Sequence, residues 1–135
     1  GKDYLESSPT LFKLDNSNVC NLNCIMCSRN AIDSIKDDPI MQEKMMADLG
    51  NHLPNVKKLI LSGHGEPLAR SDTRHLLINH KGSIKFDLIS NGLLLPRNWE
   101  KIEHQKFETV IISVDAATKQ TYEKIRVGGK WEDLL

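Results

Sequence analysis

The sequence predicts a parallel α/β domain, and two features predict it. Four short apolar runs rich in β-branched residues recur along the chain, and each is followed by a stretch with helical spacing. One strand every ~25–45 residues, alternating with helices, is the pattern of a parallel sheet built from βα units. In addition, 39% of the 135 residues are hydrophobic and 27% charged, the composition of an ordinary globular domain with a real core.

The elements follow in order. Leu11–Leu14 is the first strand and leads into a cysteine segment. Asp38 before Pro39 forms an N-cap with proline in the first turn, after the solvated charge run Lys36-Asp-Asp38. Met41, Met45, Leu49 and His52 then share one helical face, a core stripe by its spacing. Val56–Ser62 is the second strand. Ser71 or Asp72 caps a second helix carrying Leu76 and Leu77, and Gly82 stops it. Ile84–Ile89 is the third strand, and Pro96 opens a third helix with Trp99 and Ile102 three apart. Val110–Val114, nearly all β-branched, suits a strand covered on both faces. Thr118 caps a fourth helix that buries Tyr122 and Ile125, and Trp131–Leu135 starts a further one. Right-handed crossovers place the helices on one side of a curling sheet or alternate them across a flat one; periodicity does not choose. Residues 1–9 read as an N-terminal extension and 10–135 as the core domain, unfinished at its C-terminal end.

Eighteen basic residues balance eighteen acidic ones, without the basic excess of a nucleic-acid or membrane surface. No apolar run approaches a membrane span, and Gly1 to Pro9 lacks a signal-peptide pattern. The three cysteines all lie between Cys20 and Cys27. A disulfide scaffold spreads an even number along the chain, so this cluster reads as a soft-metal site in a reducing compartment, the cytoplasm.

Ligands of parallel sheets lie beyond the carboxyl ends of the strands. Each such end here carries unusual chemistry: Cys20-Asn-Leu-Asn-Cys24-Ile-Met-Cys27, Ser62-Gly-His-Gly-Glu-Pro67, Ser90-Asn-Gly92 and Ser113-Val-Asp115. A four-iron cluster normally takes four thiolates. Three thiolates leave one iron open, as a catalytic metal site does.

The C-x3-C-x2-C spacing, with Met26 before its last cysteine, resembles the motif of the radical S-adenosylmethionine (SAM) superfamily. The resemblance covers residues 10 to 135. It implies a partial TIM-like (β/α) barrel of about four βα units, a [4Fe–4S] cluster on Cys20, Cys24 and Cys27, and SAM chelated at the open iron. One electron would then cleave SAM to methionine and a 5′-deoxyadenosyl radical, which takes hydrogen from a substrate. Gly63-His-Gly-Glu-Pro67 is similar to the family's glycine-glycine-glutamate-proline loop, with His64 for the second glycine and one residue inserted. By resemblance Gly63, His64, Gly65 and Glu66 hold the methionine end. Ser90 and Asn91 line the SAM pocket, Ser113 and Asp115 reach the ribose, and Arg126 lies near the methionine carboxylate. The stretch from Ser113 to Gly129 resembles the branch whose members often carry a further cysteine-rich domain for auxiliary clusters. The implied partners are SAM, a substrate that is a peptide, protein or small molecule, and an external one-electron reductant such as flavodoxin or ferredoxin. An open barrel edge further suggests a dimer.

Two other readings stand beside this one. Cys20, Cys24, Cys27 and His64 would make a Cys3His zinc site in a structural or interaction module. An electron-transfer iron–sulfur protein would carry a cluster without binding SAM, although its fourth cysteine is missing. His52, His75, His80 and His104 read as surface or core-edge residues. Arg126 alternatively pairs with Glu123 or Asp133, and Asp115 with a neighbouring helix end.

Overall fold

The computed structural model describes residues 7–28 and 38–135. Residues 1–6 of the expected extension, and Lys36 and Asp37 of the charge run, lie outside the described residues. Strands β1 (Leu11–Leu14), β2 (Lys58–Leu61), β3 (Lys85–Ser90) and β4 (Phe107–Ile112) form one sheet in chain order, every neighbouring pair parallel. Helices α1 (Pro39–His52), α2 (Ser71–Asn79) and α3 (Pro96–Trp99) connect them. Helices α4 (Lys119–Ile125) and α5 (Trp131–Leu134) follow β4. Among the described residues the sheet is not closed, and β1 and β4 are its edges.

Register decides which face is buried. Leu14, Leu61, Leu88 and Val110 stand side by side across the sheet. With Leu59 and Phe86 they pack on Leu49 of α1, Leu77 of α2, and Leu94 and Ile102 on either side of α3. The helices from α1 to α3 thus cover one face, the one-sided arrangement of a barrel. On the other face Leu11, Ile89 and Ile111 are exposed, and Lys58 bridges Asp87 at 2.8 Å and Glu108 at 2.6 Å. β4 is therefore covered on one face among the described residues, not on both. It also starts earlier than its apolar run and ends before Ser113. Glu108 is the extra residue in a bulge, since Phe107 faces Phe86 but Thr109 faces Asp87.

Local chemistry sets the helix boundaries. Asp38 Oδ1 accepts from the Ile40 and Met41 amides at 2.9 and 3.4 Å, so α1 starts where its cap dictates. Its buried residues are Gln42 and Leu49, with Met46 packed alongside; Met41 and Met45 are exposed. Ile40, Met41, Met45, Met46 and Leu49 offer two apolar stripes one residue apart, and docking on the sheet selects the second. Neither Ser71 nor Asp72 caps α2: Arg70 stands at the cap position, and its side chain bonds Asp72 instead of capping the helix amides. Asp72 instead accepts from the Thr73 amide at 2.7 Å and pairs with Arg70 at 2.5 Å. Arg70 holds that carboxyl below its ordinary range. Thr118 caps α4 through the Thr121 amide at 3.4 Å, and Tyr122 is fully buried edge-on against Trp131. Among the described residues no helix is long and apolar enough to cross a membrane.

Candidate functional site

The carboxyl ends of all four strands converge on one open cleft of about 230 Å³. Cys20, Cys24, Cys27, Gly63, His64, Gly65, Glu66, Ser90, Asn91, Ser113 and Arg126 line it, with Leu22, Met26 and Ile89. Every site residue expected from the sequence is in that lining except Asp115. Asp115 lies beyond the end of β4 with φ 62°, in the left-handed region, so it does not share a strand face with Ser113. Its carboxylate pairs with Arg126, the residue that ends α4. Arg126 therefore meets Asp115, rather than Glu123 or Asp133.

The cysteine loop is anchored from two sides. The Asn23 amide donates to the Val127 carbonyl at 2.8 Å and the Ile25 amide to the Ile125 carbonyl at 3.0 Å, which fixes the loop on the end of α4. From the β3 side, Asn91 Nδ2 donates to Asn21 Oδ1 at 2.8 Å. None of the three cysteines is in a disulfide; Cys24 is buried and the other two half-buried. N–H groups approach their sulfurs: the Leu22 amide at 3.4 Å and Asn91 Nδ2 at 3.9 Å reach Cys20, and Arg126 Nη1 at 3.9 Å reaches Cys24.

Glu66 joins the β2 and β3 ends. It is 3% exposed. Its Oε1 accepts from Ser90 Oγ at 2.8 Å and from the Leu68 amide at 3.2 Å, and Oε2 accepts from the Asn91 amide at 2.8 Å. A buried carboxylate needs such donors to remain tolerable. The two glycines before it serve close backbone approach. A Cβ on Gly65 would stand 2.5 and 2.6 Å from the Ser17 and Val19 carbonyls, and one on Gly63 would strike the Asp15 carboxylate. The Glu66 amide then donates to the Val19 carbonyl at 2.8 Å, tying this loop to the cysteine segment.

Sequence reasoning missed Asp15, Asn21 and the Ile125 and Val127 carbonyls. Asp15 binds the His64 amide at 3.1 Å and its Nδ1 at 3.2 Å. No spacing signal marks these residues, whose partners lie 49 or more positions away. Two buried polar atoms beside Cys24, Arg126 Nε and the Tyr122 hydroxyl, have no partner, and burial raises the Tyr122 phenol above its ordinary range. Among the described residues, no three His, Cys, Asp or Glu side chains are gathered around a single-ion position. The donor set fits an iron–sulfur cluster: cysteines outside any disulfide in one cleft, N–H donors near their sulfurs, and unpaired buried polar atoms alongside.

Residues 17–135 match the model of the radical SAM superfamily, and the chain belongs to that superfamily of iron–sulfur enzymes. Among individual proteins it is similar to the probable GTP 3',8-cyclase of Methanocaldococcus jannaschii, 33% identical over 138 residues, covering 99% of this chain and 46% of that one. A probable GTP 3',8-cyclase of Archaeoglobus fulgidus is 27% identical over 139 residues, 99% of this chain and 45% of the relative. The 7,8-dihydro-6-hydroxymethylpterin dimethyltransferase of M. jannaschii is 31% identical over 124 residues, 87% of this chain and 24% of that protein. The chain thus spans less than half the length of these curated relatives.

Proposed function

We propose that this chain is the cofactor half of a radical SAM enzyme, with Cys20, Cys24 and Cys27 as the three ligands of a [4Fe–4S] cluster. The observation that carries this reading is the set of three cysteines outside any disulfide, spaced C-x3-C-x2-C, in one cleft with the loops of the other three strand ends. Bound together, the cluster and SAM supply reductive cleavage of the sulfonium and a 5′-deoxyadenosyl radical that abstracts hydrogen from substrate.

The chain's own residues supply placement. Gly63, His64 and Gly65 bring backbone to the cleft wall, with Glu66 fixing the loop and adding negative charge near an ammonium group. Ser90, Asn91 and Ser113 line the adjoining wall, and Arg126 offers its unpaired Nε to a carboxylate. Asp115 offers hydrogen-bond acceptors to hydroxyls once its ion pair with Arg126 opens. The electron comes from an external one-electron donor such as flavodoxin or ferredoxin, and the thiols suit the reducing cytoplasm. By their names the relatives act on GTP and on a hydroxymethylpterin. The site residues described above concern the cofactor, so neither substrate is carried over.

Anaerobic reconstitution of the full-length protein with iron and sulfide tests the reading. About four irons per chain are expected, with each of Cys20→Ala, Cys24→Ala and Cys27→Ala losing the cluster, and reduction with SAM present should release 5′-deoxyadenosine. Colourless protein carrying one zinc per chain contradicts it.

A further inference from the structure

We propose that Asn91 is a positioning residue for the cluster, which sets its reduction potential through Cys20 rather than by contacting SAM. This rests on the cluster reading above. Asn91 is 5% exposed and its polar groups are committed. Its backbone amide donates to Glu66 Oε2 at 2.8 Å, and its side-chain carbonyl accepts from the Leu93 amide at 3.1 Å, which fixes the rotamer. The side-chain nitrogen has two hydrogens. One goes to Asn21 Oδ1 at 2.8 Å and the other points to Cys20 Sγ at 3.9 Å, so neither is left for a bound ligand.

The bond to Asn21 clamps the residue next to Cys20, while the approach to Cys20 puts an N–H dipole on the sulfur. Hydrogen bonds to ligand sulfurs stabilise the added electron of a reduced cluster and so raise its potential. Glu66 orients the donor: its carboxylate holds the Asn91 backbone across the gap between the β2 and β3 ends. The resulting relay Glu66–Asn91–Cys20 links the glutamate loop to an iron ligand without a side chain in between that is free to move.

The test is an electron paramagnetic resonance (EPR)-monitored redox titration of the full-length reconstituted protein and its Asn91→Ala and Asn91→Asp variants. Both variants are expected to hold iron and show a more negative midpoint, with the SAM-induced spectral change retained. Asn21→Ala, which keeps the donor to Cys20, should shift the midpoint less. An unchanged midpoint together with a weakened response to SAM overturns the proposal and makes Asn91 a cofactor contact. Should the substitutions prevent cluster uptake, the wild type still decides: protein with asparagine 15N-labelled only at the side-chain amide should show a 15N coupling to the reduced cluster, and its absence overturns the proposal. Wild-type protein that takes up no cluster defeats the underlying reading and this inference with it.

Discussion

Gly65 carries more of the site than its size suggests. Because a Cβ there would overlap the Ser17 and Val19 carbonyls, Gly65→Ala is expected to cost more than about 2 kcal/mol. Iron uptake should fall with it, as read by thermal unfolding and iron content. Asp72 is the residue with a pH signature. Arg70 depresses its carboxyl, with burial opposing and the Thr73 amide assisting. A depressed folded pKa means the contribution is full above the unfolded carboxylate value and is lost as pH falls through the folded one. Asp72→Asn should therefore flatten the acid limb of the stability profile below about pH 4. The change should be at most about 1 kcal/mol, since the pair is partly solvated. At this scale Cys20, Cys24 and Cys27 stood out by spacing and Glu66 and Arg126 by resemblance, and all five line the cleft. Asp15 and Asn21 were not legible, because their meaning lies in bonds to residues 49 and 70 positions away.

Elements were legible where a local chemical signal starts them. Asp38-Pro39 and Thr118 cap α1 and α4 as their residue types demand. Asp38→Ala should lower stability by about 1 kcal/mol in denaturant unfolding. Orientation was misread: spacing put Met41, Met45, Leu49 and His52 in the core, yet Met41, Met45 and His52 are exposed. The apolar residues of α1 permit two stripes, and the sheet selects the one through Gln42 and Leu49. Likewise an unbroken β-branched run does not say which face of β4 is covered. Between elements, Glu66 staples the β2 loop to the end of β3. Glu66→Ala leaves three buried donors unpaired and should cost about 2–4 kcal/mol in the denaturant midpoint. A loss below about 0.5 kcal/mol would mean that those donors find water instead.

At the scale of the chain, the described residues form a one-sided α/β sheet with the candidate site at the carboxyl ends of the strands and β1 and β4 at its edges. The exposed Leu11, Ile89 and Ile111 on the uncovered face make this 135-residue chain prone to association. Sedimentation of the chain by itself should show dimers or larger species; a monodisperse monomer contradicts that expectation. The succession of strands and helices was legible because hydrophobic runs and glycine-bearing loops alternate along the chain, whereas the spatial order β1-β2-β3-β4 is a finding of the structure. The gathering of four strand ends into one cleft followed from the parallel topology. Cys20, Cys24 and Cys27 are proposed to hold three irons of a cluster and to leave the fourth open to SAM, which EPR of the reduced, reconstituted full-length protein with and without SAM checks. A four-iron signal that changes on adding SAM and disappears in Cys24→Ala is predicted. A cluster signal indifferent to SAM would contradict the account.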